Sequence, residues 1–509
     1  MKTPKMKRRT FLQVMAATMP MMAGFAARVR AITAPNPHYD VIIVGAGTAG
    51  IPVAIFAARR GGRVLLLDAA PRIGGTLFLS TGQMSAAGTQ LQQAKGIEDS
   101  AELHFDDVMR ISQNTADAEL VRLAVNEAAP TFDWLMEGGF EPFPEHPILG
   151  SAHEPYSTKR YVWSPNRGPG ILQTIQHELQ PLLDSGQVQV QLSSPVTALV
   201  TNQEGAIMGV RVRSEDRERV FHGSSIVLAS GGYNANPALF EKLSGYRHYC
   251  NMAYPFASGA GIGLALSVGG YVRGRQNYLC NFGSILVDKD YPAKRLARFN
   301  TDPEERKPWE IYVNTNGERF VCEDEPSVDV REHALLEQPD LRYWIVFDSA
   351  ILNDSPPGVR SWSREDILTA FDEQIMFTQG DTLEALAENS GIEPIGLART
   401  VADYNQAVLQ EADSFGRRHL PLAISKPPFY AIRLQGHSVT STVGIGVDSE
   451  LRVTRPDGSI VDNLYAAGEV LGAGQTMGRA FVGGMMVTPA LSLGRYLGQN
   501  LPLPATKIP

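Results

Sequence analysis

Cysteine is scarce in this 509-residue chain: Cys250, Cys280 and Cys322 are all it has. None stands in a Cys-x-x-Cys or Cys-x-x-Cys-His spacing, so no haem attachment or iron–sulfur framework is visible. Buried structural thiols are the expectation, with one disulfide open if the chain is exported. An excess of positive charge is also missing. The 46 Lys and Arg against 54 Asp and Glu leave a net charge of −8. Neither a nucleic-acid footprint nor a membrane-surface patch is implied. The apolar stretch Val14 to Ala27 is too short for a stable membrane span. Internal repeats are absent, and the 48 glycines are scattered rather than gathered into a low-complexity tract. What is left, 43% hydrophobic and 20% charged, is a globular composition with length for two or more domains.

The N-terminus carries an address. Lys7-Arg8-Arg9-Thr10-Phe11-Leu12-Gln13 precedes that apolar stretch, and Val29-Arg30-Ala31 offers a cleavage site. Residues 1–31 read as a twin-arginine signal, and the protein as periplasmic or otherwise exported. Export of this kind carries folded proteins, so a non-covalent cofactor would be inserted before crossing.

The mature chain opens on a nucleotide-binding pattern. Tyr39-Asp40-Val41-Ile42-Ile43-Val44 is a buried apolar strand that breaks into Gly45-Ala46-Gly47-Thr48-Ala49-Gly50. A small-residue helix, Ile51 to Arg60, and a second strand, Arg63 to Leu67, follow, ending on Asp68. Gly45 allows the tight turn, Gly47 lets a pyrophosphate approach the backbone, and Gly50 lets the helix pack on the sheet. The helix N-terminus offers free N–H groups to phosphate. Asp68 can accept from a ribose hydroxyl. A glycine-rich loop follows, through Gly74, Gly75, Thr76, Ser80, Thr81 and Gly82, where backbone can approach a flat ring system.

Further along, Glu102 to Thr115 and Asp117 to Glu137 carry helical apolar spacing, with Pro130 a break or kink. Ser151 to Gly170 reads as an aromatic, Pro/Gly-rich loop, and Gly170 to Ser185 as a helix. Val188 to Gly232 is β-rich, with a charged hairpin tip at Arg213 to Arg219.

Three separated segments resemble the FAD sites of the fumarate reductase/succinate dehydrogenase flavoprotein superfamily. They are the loop after Asp68, the strand and turn Ile226 to Asn234 with Gly231 and Gly232, and Val461 to Val470 with Gly468 and Glu469. The stretch Val313-Asn314-Thr315-Asn316-Gly317-Glu318-Arg319-Phe320-Val321 and the piece Leu341 to Asp348 resemble that family's capping domain. Soluble fumarate and urocanate reductases and 3-ketosteroid dehydrogenases are the members it is most similar to.

The resemblance implies an α/β fold, a Rossmann-like FAD-binding domain split in sequence by an inserted α+β capping domain. The first part is 37–243, the cap 244–430 and the second part 431–509. It implies FAD held at Gly45, Gly47, Ala49, Gly50, Asp68, Gly74, Gly75, Thr76, Ser80, Thr81, Gly82, Val196, Gly231, Gly232, Gly468, Glu469, Gly484 and Val487. No histidine stands between Thr76 and Thr81, where some members attach FAD covalently, so the cofactor is expected to be non-covalent. Arg331 takes the place of the family's arginine proton donor, with Glu323, Asp324 and Glu325 to relay protons. Arg479 takes that of its carboxylate clamp, although Ala480, Phe481 and Val482 separate it from Gly483 and Gly484. His437 is either a ligand or a hydrogen-bonded structural histidine. The His-Pro-Thr and His-Thr-x-Gly-Gly elements of dicarboxylate reductases are missing, which disfavours fumarate itself.

The activity implied is addition or removal of hydrogen across a carbon–carbon double bond next to a carbonyl or carboxylate. A 3-ketosteroid or other cyclic enone is the alternative, with Tyr161, Tyr254 and Tyr278 as donors. A flavin electron-transfer protein is the reading from another class. The expected partners are a small-molecule substrate and an unidentified electron donor or acceptor. No metal site is expected.

Overall fold

The computed structural model describes residues 38–150, 153–214 and 217–503. The signal-like segment lies outside them. The first strand, β1 (His38–Val44), is buried because four of its last five side chains are branched aliphatics with no polar group to satisfy. It lies between β2 (Val64–Leu67) and the strand Arg217–Leu228, parallel to both. The sheet continues through Val188–Gln191 on one side. On the other it runs through Ile460–Ala466 and the antiparallel edge Arg452–Thr454. The hairpin Val196–Thr201/Ile207–Ser214 is joined antiparallel to Arg217–Leu228.

Register decides where the site falls. Val44 pairs with both Leu67 and Leu228, and Leu228 with Ala466. Four parallel strands therefore end level, and the turns holding Gly45, Asp68, Gly231 and Gly468 meet at one rim. Ligands of parallel α/β sheets bind at that carboxyl end. The helix α1 (Gly50–Arg59) packs under the last helix, Val487–Asn500.

A second, antiparallel sheet runs in the order Ile311–Val313, Arg342–Asp348, Phe429–Gln435, Phe377–Gly380. Its last-joined strand, Phe429–Gln435, straddles the boundary expected at 430. Asn314 makes the turn after Ile311–Val313, its Oδ1 accepting from the N–H groups of Asn316 and Glu318 at 3.0 Å.

Local corrections have local causes. The helical break falls at Glu127, not Pro130: Pro130 sits in the first turn of Ala128–Glu137, where its missing N–H costs nothing. The loop from Ser151 is shorter than expected, since Tyr161–Val162 pairs with Met84–Ser85 and a helix starts at Arg167. All three cysteines are free, which removes the disulfide.

Candidate active site

The glycines of the first turn differ in what surrounds them. Gly45 has φ +114°, and a Cβ there would meet the Ala229 carbonyl oxygen at 2.3 Å. A Cβ at Gly50 would lie 1.9 Å from the Gly45 carbonyl oxygen. Gly47 is different: its Cβ would point at open space, the nearest atom being Gly75 Cα at 3.8 Å. The α1 N-terminus has no side-chain cap and no acid in its first turn. Open backbone and uncapped N–H groups at that point suit a pyrophosphate.

Asp68 is held in place by its own rim. Its carboxylate oxygens accept from the N–H groups of Ala46 and Ala70, each at 2.7 Å. Burial raises its pKa, and those two bonds oppose the rise. Tyr254 is close enough to Asp68 and Arg72 to feel both charges, which puts it at this end, away from Arg331. Val196 follows Ser193 and Ser194, whose N–H groups bond the Ala70 and Asp68 carbonyls. Gly74 has φ +122° and closes on Leu172 and Phe78, while Gly82 has φ +70° and closes on Arg167. Thr76 opens the short turn that Gly75 begins; Ser80 Oγ accepts from Gly82 N–H, and Thr81 is exposed.

On the same rim, Gly232 faces Glu469 and Ser441, and Gly468 lies against Ala49. Burial pushes the Glu469 carboxyl up, against bonds from Ser441 and the Gly232 N–H. Gly484, at φ +81°, packs on Met84 and Ser85 just before the helix that starts at Val487.

The helix Val328–Leu336 builds the other wall. Ser327 caps it, its Oγ accepting from Val330 N–H at 3.3 Å. Arg331 is 1% exposed, so it is no surface residue. It donates to the Thr301 carbonyl and lies 5.8 Å from the Phe282 ring centroid. The same helix touches the turn that carries Arg479. His333 Nε2 is 2.8 Å from the Arg479 carbonyl oxygen, and Asp329 Oδ1 accepts from Phe481 N–H at 3.3 Å. Arg479 itself is exposed, its guanidinium donating to Gln113.

Three residues at this wall were not foreseen. His153 Nδ1 lies 3.4 Å from Asp329 Oδ1, and its ring rests on Phe481 with centroids 4.4 Å apart. Glu332 completes a group with ligand atoms within 4.8 Å of one another. Burial pushes the Glu332 carboxyl up to about 7. Asp329 is held down by His153 and by the Phe481 N–H, against its own burial. The i, i+3 spacing of Asp329 and Glu332 is readable in sequence. Their partner His153 lies 176 residues earlier and gives no such signal.

The expected relay acids are placed otherwise. Glu323 pairs with Arg319 and Arg417, and Asp324 accepts from Arg418 and His419 N–H groups. The carboxyl that feels the Arg331 charge is Glu332. His437 is 1% exposed, with Nε2 2.9 Å from Ser284 Oγ. Burial and the charges of Arg295 and Arg298 hold its pKa down to about 4, so it is neutral. Tyr278 is buried, accepts from Ser438 N–H and stacks on Tyr246; Tyr161 is buried with its pKa raised by desolvation.

Residues 40–484 match the family described as FAD binding domain. A probable fumarate reductase of Shewanella frigidimarina is 29% identical over 482 residues, covering 92% of this chain and 75% of the relative. The open conformation of a flavocytochrome c3 fumarate reductase superposes with TM-score 0.67 at 25% identity, over 97% of this chain and 81% of that one. A 3-ketosteroid Δ1-dehydrogenase of Sterolibacterium denitrificans shares the fold, with TM-score 0.68 at 18% identity, over 91% and 98%.

Proposed function

The chain belongs to the FAD binding domain family, and we propose that it is an FAD-dependent oxidoreductase adding hydrogen across a carbon–carbon double bond conjugated to a carboxylate or carbonyl. The observation that carries this reading is the meeting of Arg331 and the Arg479 turn on one helix, Val328–Leu336. Bound FAD supplies hydride at its N5 position. The chain supplies the rest. Arg331, fixed by the Thr301 carbonyl, would hand a proton to the carbon beside the one that takes hydride. The backbone of the 479–484 turn and neutral His437 orient the conjugated group and exclude water. The split of the chain into two FAD-binding parts around a cap is part of this proposal, as is export on the Arg8–Arg9 signal.

The test is anaerobic stopped flow. Reduced enzyme is mixed with 2-enoic acids and with cyclic enones, and flavin absorbance reports reoxidation. Arg331→Lys, which keeps the charge but reshapes the donor, is expected to slow reoxidation about a hundredfold. Near-native rates would move the proton to another group. Acid precipitation of the same preparation is expected to leave the flavin in the supernatant; colour in the washed pellet would contradict non-covalent binding.

A further inference from the structure

The strand Arg295–Arg298 runs antiparallel to Ser284–Leu286, with Arg298 directly opposite Ser284. Opposed residues send their side chains to one face, with Cβ atoms about 5 Å apart. Ser284 is fully buried and its hydroxyl meets His437 Nε2. The Arg298 side chain is thereby carried to the place that His437 closes. Three residues on, the Thr301 carbonyl anchors Arg331. One segment presents one arginine and holds another.

Several arginines of the described residues are matched to carboxylates: Arg160 with Asp99 and Asp107, Arg306 with Glu310, Arg319 with Glu323 and Asp413. Among the described residues Arg298 has no ion pair and no side-chain hydrogen bond; its charged surroundings are Arg360, Arg295 and Glu332. Arg360 has its own acid, Glu305. Burial and these like charges hold the Arg298 pKa below its usual value. Glu332, raised to about 7 by burial, is only partly ionised at neutral pH and cancels only part of this charge. A half-buried guanidinium among like charges and without a counter-ion is free to take an anionic ligand.

We propose that Arg298 is a specificity-determining residue that anchors an anionic group of the substrate, a carboxylate, between itself, Arg331 and the Ser284–His437 pair. The inference rests on the reading above and deepens it by fixing the charge of the substrate. His437 is neutral and lends hydrogen bonding only. Arg298 supplies the positive charge, in a fork that matches a carboxylate.

Acid and amide forms of one skeleton separate charge from shape. Cinnamate and acrylate are compared with cinnamamide and acrylamide on holoenzyme, Arg298→Gln and Arg298→Lys, with flavin content and circular dichroism confirming the fold. For the acids, Arg298→Gln is expected to raise KM about tenfold or more, the scale of a lost charge-assisted bond. Its kcat and the KM of the amides stay close to wild type, and Arg298→Lys recovers part of the loss. An unchanged acid KM in Arg298→Gln overturns the proposal while leaving the double-bond reading intact. If the wild type reduces none of these compounds and no cyclic enone, that reading fails. Arg298 is then judged by titrating flavin absorbance with 3-phenylpropionate. Binding that is tenfold weaker in Arg298→Gln supports the anion site; equal binding, or none, overturns it.

Discussion

Gly47 and Gly50 stand in one turn and need their missing side chains for different reasons. A side chain at Gly50 would drive into the Gly45 carbonyl, whereas one at Gly47 would enter open space. Gly47→Val is expected to yield folded protein without flavin, because the new methyls occupy the pyrophosphate position. Gly50→Val is expected to lose the fold as well. Flavin absorbance and circular dichroism, measured together, separate the two. Glu332 gives a pH prediction of definite sign. Its carboxyl is raised from 4.5 to about 7 by burial, with His153, Asp329, Arg298 and Arg331 as its charged neighbours. The unfolded chain releases this proton first, so stability is fully present below about 4.5 and is lost as pH rises through 7. The loss is on the order of 3 kcal/mol. Denaturant midpoints of wild type should fall across that window more steeply than those of Glu332→Gln. Parallel pH profiles would mean that Glu332 ionises normally.

At the scale of elements, the last helix is fastened to the first by small residues. A Cβ at Gly494 would lie 2.4 Å from the Ala49 carbonyl oxygen, and one at Gly498 would lie 2.7 Å from that of Val53. Ala49 opens α1 and touches Gly468, so this contact sets the angle at which α1 meets the phosphate position. Gly494→Leu is expected to cost about 3 kcal/mol or more through overpacking and to weaken flavin retention. A melting temperature and flavin content equal to wild type would show that the helix pair can shift without consequence. The wall opposite depends on a different element. The helix Val328–Leu336 is capped by Ser327 and carries Asp329, Arg331, Glu332 and His333.

For the whole molecule, the order of the chain bears on export. The central sheet is completed by Ile460–Ala466, and the cofactor rim by Gly468 and Gly484. The site is therefore assembled only when almost the whole chain is available, which suits a route that carries folded protein. Changing Arg8 and Arg9 together to Lys is expected to leave flavin-loaded precursor in the cytoplasm. Cell fractionation with unchanged periplasmic recovery would remove the export proposal. Among the described residues no helix is long and apolar enough to cross a membrane.

The sequence by itself determined the βαβ turn at the sheet's carboxyl end. Gly45, Gly47, Gly50 and Asp68 lie within one short βαβ unit, where local spacing and chain stiffness dictate the geometry. The antiparallel sheet around Val313 to Phe320 and Leu341 to Asp348 was also legible, since strand and turn residues declare themselves locally. The substrate wall was decided by tertiary structure. Arg331 could be named from its motif, but its burial and its anchor at Thr301 depend on segments apart from it in the chain. The misplaced relay through Glu323 has the same origin: only packing shows that Arg319 and Arg417 claim that carboxylate. His153, Arg298 and Ser284 come from a loop and two paired strands. Charge and burial at such a site are set by what the fold brings together, and spacing along the chain does not encode them.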